Sequence, residues 1–425
     1  MTYPETLYAQ QCAPGPAAAP LEGEVKADVC VIGAGLAGLT CALEAQRRGL
    51  EVVVLEAERV AWGASGRNAG IVSAGFAAGA EGLLEAVGPD DAWTLHGLSA
   101  AGAQYVRRQI ERLKLRKTLQ GEGFYLVSRC DREDELKTQV ERFGQKLGYE
   151  LRYCPREEVR EMLCTDRYHQ ATYDPSAFHI QPLAYALGLA GAFRALGGVI
   201  HEQTRARGVE SLKAGHWRVA TGKGAVVADN VVLCTSGYDL RLYKRVTRAV
   251  LPVATYVVTS TPARKLLNEV IKTKSGVADT RRAGDYFRRL PDGRLLWGGR
   301  ISTSRSEPFR LGERMMEDCY NIFTQLGALK VGHAWSGLMG YARHSMPLIG
   351  QVEPRLWYAT AFGGHGLNTT AMAGQLIAEA ISEGDDRYRL FERFELQRAG
   401  GPFRRLITQG AYWAMQARDK INEIG

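Results

Sequence analysis

The chain has 425 residues, of which 45% are hydrophobic and 24% are charged, so it can bury a large core, and its length favours about two or three domains. The net charge of +8 is dispersed, and no stretch interleaves basic with aromatic residues, which argues against a nucleic-acid partner. The eight cysteines show neither C-x-x-C spacing nor paired histidines, which predicts reduced thiols and argues against a metal site or a disulfide framework.

Residues 1–27 contain Pro14, Pro16 and Pro20 among alanines, a composition that predicts an extended N-terminal arm. The segment lacks the basic start and the apolar core of a signal peptide. No apolar run in the chain reaches the roughly 18 residues of a membrane span. These features predict a cytoplasmic protein that is at most peripheral to the inner face of a membrane.

Residues 28–56 have the pattern of a strand, a turn, a helix and a second strand. Gly33 permits a tight turn, Gly35 lets the backbone approach a pyrophosphate, and Gly38 lets the helix pack against the strand. Glu56 ends the second strand, where its carboxylate can accept hydrogen bonds from a ribose and would repel a 2′-phosphate. The unit therefore predicts FAD or NAD rather than NADP. The cofactor-binding residues predicted here are Gly33, Gly35, Leu36, Ala37, Gly38, Glu56 and Ala57.

The next segment, residues 63–70, consists of small residues with one arginine and one asparagine, Gly-Ala-Ser-Gly-Arg-Asn-Ala-Gly. Such a segment can bring backbone amides close to a flat, polar ligand. Here the sequence resembles the D-amino-acid oxidase superfamily of flavoproteins, in particular the branch of glycine oxidases, sarcosine oxidases and γ-glutamylputrescine oxidoreductases. The resemblance covers residues 25–385 and implies FAD as cofactor. It implies that FAD contacts Ser65, Gly66, Arg67, Asn68 and Gly70.

Hydrophobic periodicity predicts helices over residues 90–118 and 131–148, with a strand at residues 123–127 between them. A later apolar run at residues 228–234 ends in small residues. In the family that the chain resembles, this run returns to the nucleotide domain, which places Thr235 and Gly237 against FAD.

Residues 252–259, 285–290 and 295–300 are predicted to be strands of a second domain, with one side of their sheet facing a ligand. Aromatic residues on such strands are most often core residues. The resemblance implies instead that Tyr256 and Trp297 line the substrate side of the flavin.

Residues 335–350 match the run that precedes the last flavin-binding strand of the family. Sarcosine oxidases carry a flavin-linked cysteine there and this run has none, so FAD is expected to be bound non-covalently. Glycine oxidases place a carboxylate-binding arginine where this chain has Met339, so another side chain would have to hold a substrate carboxylate. The predicted substrate-side residues are Arg300, Tyr341, Arg343 and His344.

Residues 362–374 are rich in glycine and precede a predicted helix over residues 375–382. A helix N-terminus beside glycines offers amide donors and a positive dipole to the flavin. Sarcosine oxidases use a lysine near the place of Asn368 to hold a carboxylate, so its absence disfavours simple α-amino acids. The predicted contacts are Gly364, His365, Gly366, Leu367, Asn368 and Thr369.

Residues 402–421 predict a basic amphipathic helix at the end of the chain. Docking on the protein's own surface is the favoured interpretation of this helix. Peripheral contact with a membrane is the alternative.

The predicted fold is α/β (α+β), with an FAD-binding Rossmann-like domain and a discontinuous, mainly antiparallel-sheet substrate domain. The FAD-binding domain is predicted from residues 28–85, 175–240 and 345–385, and the substrate domain from residues 86–174 and 241–344. Residues 1–27 form the arm, and residues 386–425 form a C-terminal helical extension.

The predicted activity is FAD-dependent oxidation of a C–N bond in an amine or amino acid, which gives an imine that water hydrolyses. A cyclic secondary amino acid such as L-pipecolate is the leading substrate, and γ-glutamylputrescine or another polyamine derivative is the alternative. The electron acceptor is either oxygen or a membrane quinone. An NAD-dependent dehydrogenase is a weaker alternative, because it would not need residues 63–70 and 362–374.

Overall fold

Two β-sheets with helices around them make up the computed structural model, which describes residues 2–239, 241–281, 284–304, 307–400 and 404–422. The helices are α1 (Leu7–Cys12), α2 (Leu36–Arg47), α3 (Gly79–Val87), α4 (Pro89–Arg112), α5 (Glu133–Leu147), α6 (Arg156–Met162), α7 (Pro182–Ala195), α8 (Lys244–Thr247), α9 (Arg264–Val270), α10 (Leu311–Ile322), α11 (Gly366–Glu383) and α12 (Arg404–Asn422).

The strands are β1 (Gly23–Ile32), β2 (Val52–Leu55), β3 (Ile71–Val72), β4 (Leu119–Val127), β5 (Arg152–Cys154), β6 (Ala171–Ile180), β7 (Val199–His201), β8 (Gly208–Ser211), β9 (Trp217–Ala220), β10 (Gly224–Leu233), β11 (Leu251–Ser260), β12 (Gly276–Asp279), β13 (Tyr286–Arg289), β14 (Leu295–Ser302), β15 (Val331–Tyr341), β16 (Leu348–Glu353) and β17 (Leu356–Thr360).

The first sheet has the order β16-β17-β10-β1-β2-β7, and β8 and β9 extend it from β10. The pairs from β17 to β7 are parallel, whereas β16 is antiparallel to β17. All four residues of β2 are buried, as expected of a parallel strand covered on both faces. Because β1, β10 and β17 come from distant parts of the chain, the sheet closes only when three separate segments meet.

The second sheet has the order β15-β11-β14-β13-β12-β4-β6-β3, and β5 pairs with β6. Its neighbouring strands are antiparallel except for the parallel pair of β12 and β4. α10 packs on one face of this sheet, and the other face is turned towards the first sheet. The predicted α/β fold with a mainly antiparallel second sheet is confirmed.

Several predicted boundaries differ from the structure. The N-terminal arm is not extended throughout, because residues 7–12 form α1 and bury Leu7 and Tyr8. The helix predicted at residues 375–382 begins at Gly366, nine residues earlier, and so includes part of the glycine-rich segment. The division into domains stays a prediction, although β3 and the whole of β6 belong to the second sheet.

The last helix, α12, docks on the second sheet. The backbone N–H of Ile301 donates a hydrogen bond to the Tyr412 hydroxyl at 3.0 Å, and that of Thr303 donates one to Gln409 at 3.1 Å. Trp413 and Ile421 on the same helix are exposed. The predicted start of this helix at residues 402–403 lies outside the described residues. In the described part of the chain, no helix is both long and apolar enough to cross a membrane.

Candidate active site

A cavity of about 1000 Å³ lies between the two sheets. It runs from the ends of β1 and β2, along residues 61–80 and the N-terminus of α11, to the inner face of the second sheet. Its volume is at the upper end of the range for small-molecule and cofactor sites. A long ligand and a second, smaller one can therefore occupy it together.

Side chains are excluded at two glycines of the turn between β1 and α2, Gly33 and Gly38. A Cβ atom on Gly33, where φ is +110°, would lie 2.8 Å from the carbonyl oxygen of Cys234, and one on Gly38 would lie 2.0 Å from that of Gly33. Gly35 faces the hydroxyl of Ser65, which accepts a hydrogen bond from the backbone N–H of Leu36 at 3.0 Å. The glycines thus let the N-terminus of α2 open directly onto the cavity.

The Glu56 side chain lies on the cavity wall at the end of β2. Its carboxylate accepts hydrogen bonds from the backbone N–H groups of Ala34 and Glu58, both at 2.8 Å. Burial raises the pKa of Glu56 to about 7. The carboxylate is held in place with lone pairs left for a ligand that donates hydrogen bonds.

Arg67 brings a positive charge to the wall of the cavity. Its guanidinium lies over the ring of Trp62 at 4.2 Å and donates to the carbonyl oxygens of Trp62 at 2.8 Å and Ser336 at 3.2 Å. The remaining nitrogen, Nη2, is buried and has no hydrogen-bond partner among the described residues. Burial lowers the pKa of Arg67, but an arginine stays charged, so a donor with positive charge remains free for a ligand.

Asn68 lines the cavity but uses its side chain to hold the loop. Its amide donates to the carbonyl oxygens of Ala64 at 3.1 Å and Ser65 at 3.0 Å, and its Oδ1 accepts from the backbone N–H of Gly70 at 2.9 Å. Asn68 therefore positions the segment around Arg67.

The N-terminus of α11 meets the cavity opposite this loop. Gly363 and Gly364 have φ angles of +55° and +87°, and their turn packs on the ring of Tyr341. Burial lowers the pKa of His365 to about 4, so its imidazole is neutral. Asn368 donates to the carbonyl oxygen of Gly75 at 2.9 Å and ties α11 to the loop after β3. Two helix N-termini, those of α2 and α11, thus open on one cavity.

The structure brings most of the predicted cofactor-binding residues together. Those that line the cavity are Gly33, Gly35, Leu36, Ala37, Glu56, Ala57, Ser65, Arg67, Asn68, Gly70, Thr235, Gly364, His365, Gly366, Leu367 and Asn368. Four of the predicted residues do not line the cavity, namely Gly38, Gly66, Gly237 and Thr369. Gly66, for example, packs on the carbonyl of Ala61, and the Thr369 hydroxyl donates to the carbonyl of His365.

The prediction that Tyr256 and Trp297 face the cavity is wrong. Side chains alternate along β11, so Tyr256 points towards α10 while its neighbour Thr255 lines the cavity. Trp297 is fully buried and stacks on Phe287, with ring centroids 4.9 Å apart. Both aromatics belong to the core between the second sheet and α10.

Three predicted carboxylate-binding residues also lie away from the cavity. Arg300 forms an ion pair with Asp318, with Nε–Oδ2 at 2.5 Å and Nη2–Oδ1 at 2.9 Å. Arg343 is exposed, and the His344 ring packs against Phe394 with centroids 5.4 Å apart.

Tyr341, by contrast, lines the cavity as predicted. Burial raises its pKa to about 12, so it presents a neutral phenol.

No motif in the sequence marks three further polar residues of the cavity wall, His96, Tyr149 and Asp174. They come from α4, from the loop after α5 and from β6. Asp174 could have been noticed in the sequence as an acidic residue within a largely apolar strand. We call these three residues the distal cluster.

Comparison with known proteins identifies the family. Residues 28–380 match the family model described as DAO, FAD dependent oxidoreductase. The chain belongs to this family. It is an FAD-dependent oxidoreductase of the group that acts on amines and amino acids.

Two curated relatives and one solved structure illustrate the similarity. The chain is 32% identical over 379 residues to the probable oxidoreductase OrdL of Haemophilus influenzae, covering 88% of this chain and 87% of that protein. It is 29% identical over 377 residues to the γ-glutamylputrescine oxidoreductase of Escherichia coli, covering 87% of each. The glycine oxidase of Geobacillus kaustophilus shares the fold with a TM-score of 0.74 at 20% identity, over 88% of this chain and all of that one.

The residues of the cavity fit FAD, the cofactor of the family. The glycine turn and the N-terminus of α2 suit its pyrophosphate, and Glu56 suits the adenosine ribose. Arg67 and the N-terminus of α11 would hold the flavin end. Cys234 lies on the cavity wall, but burial raises its pKa, which disfavours the reactive thiolate. Non-covalent binding stays our prediction.

Glu56 should make the affinity for FAD depend on pH. If Glu56 binds the adenosine ribose, the ribose hydroxyl groups would donate hydrogen bonds to its charged carboxylate, and binding would favour the ionised form of a group whose pKa is about 7. We expect the affinity to rise between about pH 6 and pH 8 and then to level off. Fluorescence titration of the apoprotein with FAD measures this dependence. Glu56→Gln should bind FAD more weakly than the wild type above about pH 7 and should lose this pH dependence, and an equal pH dependence in that variant would contradict the assignment.

Proposed function

We propose that the protein oxidises the terminal amine of an elongated substrate, such as γ-glutamylputrescine or another polyamine derivative, rather than L-pipecolate. The shape of the cavity carries this proposal. Beyond the wall formed by residues 67–76, the cavity continues between the second sheet and helices α3, α4 and α5. Its apolar side chains there are Leu83, Phe124, Leu126, Phe143 and Leu151.

An apolar branch of this kind suits an alkyl chain, because methylene groups lose contact with water when they enter it. A small cyclic amino acid would leave the branch unfilled. The similarity to γ-glutamylputrescine oxidoreductase supports the same substrate class.

The positions of the cationic residues also favour an amine over a compact amino acid. An α-carboxylate needs a cationic partner close to the reacting carbon. Arg300 is already paired, and Arg343 and His344 lie off the cavity. Among the described residues that line the cavity near α11, Arg67 has a guanidinium nitrogen without a hydrogen-bond partner. We propose that this nitrogen binds the flavin and not a substrate carboxylate.

The chemistry asked of the protein is modest. Bound FAD would supply the acceptor for the hydride of the α-carbon of the neutral amine. The amine nitrogen loses a proton, and water hydrolyses the resulting imine to an aldehyde and ammonia. The chain orients the amine and excludes water with its apolar wall, while the neutral phenols of Tyr286 and Tyr341 add no charge beside it.

The reduced flavin can pass its electrons to one of two acceptors, oxygen or a membrane quinone. Oxygen would react at the active site, whereas a membrane quinone would require contact with a bilayer. The exposed Trp413 and Ile421 on α12 support such a contact. Reoxidation by air after anaerobic reduction distinguishes the two acceptors.

An anaerobic absorbance scan of the FAD-loaded protein tests the proposal. Addition of γ-glutamylputrescine should bleach the flavin band, and L-pipecolate, sarcosine and proline should bleach it far more slowly. Admitting air should restore the band if oxygen is the acceptor, and a soluble quinone analogue should restore it otherwise. Rapid bleaching by L-pipecolate, with none by γ-glutamylputrescine, would overturn the assignment.

A further inference from the structure

The distal cluster of His96, Tyr149 and Asp174 lies on the wall of the same cavity as the cofactor-binding residues. The Tyr149 hydroxyl donates a hydrogen bond to Asp174 Oδ2 at 2.7 Å. The rings of His96 and Tyr149 are in contact, with centroids 4.6 Å apart. The three side chains therefore form one connected group at the apolar branch.

Asp174 is a buried carboxylate with only neutral partners. Its Oδ1 accepts hydrogen bonds from the backbone N–H and the hydroxyl of Ser176, at 2.9 and 2.6 Å, and from the backbone N–H of Ala177 at 3.2 Å. Asp174 is 2% exposed, and no described lysine, arginine or histidine forms an ion pair with it. A buried carboxylate without a cation is costly, so this site favours a ligand that brings positive charge.

His96 adds a second acceptor to the group. It is 4% exposed, and burial lowers its pKa to about 4, so the imidazole is neutral. Its Nε2 is buried and has no hydrogen-bond partner among the described residues. In the tautomer that carries its proton on Nδ1, Nε2 presents a lone pair to a ligand.

The distal cluster thus offers a carboxylate and an imidazole lone pair, while its one hydroxyl proton is already donated to Asp174. Gln139 lines the same wall and adds an amide. A ligand group with several N–H donors and a positive charge matches this set, and an anionic group does not. The adjacent aromatic ring of Tyr149 would also attract a cation.

We infer that the distal cluster binds a second, protonated amino group of the substrate. This inference rests on the proposed function and narrows it to amines that carry an ammonium group at the end opposite to the reacting amine. Diamines and polyamines have this group alone, whereas the γ-glutamyl end of γ-glutamylputrescine has it beside an α-carboxylate, so the inference favours diamines and polyamines.

Equilibrium binding separates this inference from the proposed reaction. FAD-loaded protein whose flavin has first been reduced with dithionite, so that no amine can be oxidised, is titrated anaerobically by calorimetry with a series of α,ω-diaminoalkanes and with alkylamines of the same lengths. A diamine that spans the cavity should bind about 10- to 100-fold more tightly than the matching alkylamine, as expected for a charged hydrogen bond. Equal affinities in the wild-type protein would overturn the inference, whether or not either ligand is oxidised.

Two substitutions test the residues themselves. Asp174→Asn removes the charge with little change of shape, and His96→Leu removes the acceptor without touching the turn at Ser176. Each should abolish most of the preference for the diamine and leave alkylamine affinity unchanged. FAD content and the melting temperature show whether each variant is folded, and His96→Leu remains decisive if Asp174→Asn fails to fold.

Asp239→Asn is the matched control. Asp239 also lies on the cavity wall and also accepts backbone hydrogen bonds, from Arg241 at 2.8 Å and Leu242 at 3.2 Å. Its loss should not change the preference for the diamine. If it lowers that preference as much as Asp174→Asn does, the general negative charge of the cavity, and not the distal cluster, selects the ligand. If diamines bind as expected but are not oxidised, the proposed function fails and the site stands.

Discussion

Replacement of Arg67 by methionine is expected to slow the reduction of bound FAD at saturating substrate about 10²-fold, the usual effect of losing one preorganised charge or donor. A flavin reduced by the substrate would gain negative charge, which a cation beside it would stabilise. Nη2 of Arg67 is a buried donor with no partner among the described residues, so it can donate a hydrogen bond to the flavin. Methionine keeps much of the packing against Trp62 but supplies neither charge nor donor.

Anaerobic stopped-flow absorbance gives both the limiting rate of flavin reduction and the substrate dissociation constant. We expect the first to fall and the second to stay nearly unchanged. A lower flavin midpoint potential in the variant would be an independent sign of the same cause. If affinity for substrate falls instead and the limiting rate is preserved, Arg67 binds the substrate and not the flavin.

Arg205→Met is the control for charge. Arg205 lines the other end of the same cavity, where it pairs with Glu58 at 3.1 Å. Its loss changes the net charge of the protein equally, but far from the predicted flavin end. The limiting rate should therefore remain within about twofold of the wild-type value, because exposed charges are well screened.

Replacement of Gly70 by alanine is expected to destabilise the protein by about 3 kcal/mol, from a strained backbone and an overpacked contact. Gly70 has a φ angle of +80°, and a Cβ atom there would lie 2.0 Å from the carbonyl oxygen of Ile180 and 2.8 Å from Arg288 Nη2. Arg288 is fully buried, and its Nε donates to the carbonyl oxygen of Ala69 at 2.7 Å. The new methyl group would push the loop that carries Arg67 away from β6.

Denaturant unfolding and FAD titration measure the two consequences, lower stability and weaker FAD binding. Gly49→Ala separates strain from contact, because Gly49 has a φ angle of +83° and nothing lies within 4 Å of its Cβ position. This variant should lose only about 1 kcal/mol and keep its affinity for FAD. Equal losses in the two variants would mean that the contact with Ile180 has no role.

The nucleotide-binding half of the site could be predicted because its chemistry is local. The turn from Gly33 to Gly38 and the acidic end of β2 lie within one continuous unit, and each residue type has a steric or electrostatic reason. The same holds for residues 63–70, where small side chains permit close approach of the backbone. These segments line the cavity with few exceptions.

The substrate half could not be predicted in the same way. Both faces of the second sheet are covered, so hydrophobic alternation does not tell which face of β11 or β14 meets the ligand. A shift of one residue separates Thr255 on the cavity from Tyr256 in the core, and the register of β11 itself shifts at this place. The family resemblance selected the aromatic residue, but the structure places its polar neighbour on the cavity.

The distal cluster could not be predicted from the sequence for another reason. Its three residues come from separate elements, and none belongs to a motif. They are distinguished by incomplete pairing: the Asp174 carboxylate has no cation beside it, and Nε2 of His96 has no hydrogen-bond partner among the described residues. Such a deficit exists only after folding has buried the groups.

The pairing of β1 with β10 and of β10 with β17 also sets the order in which the protein can be completed. The ribosome releases about 5–20 residues per second, so β1 emerges many seconds before its partner at residues 224–233. β17 pairs with β10 only after residues 356–358 have followed. The first strand must therefore remain unpaired on one side while about 200 further residues are added, close to half of synthesis. The predicted FAD site is complete only after α11 has been made, close to the end of the chain.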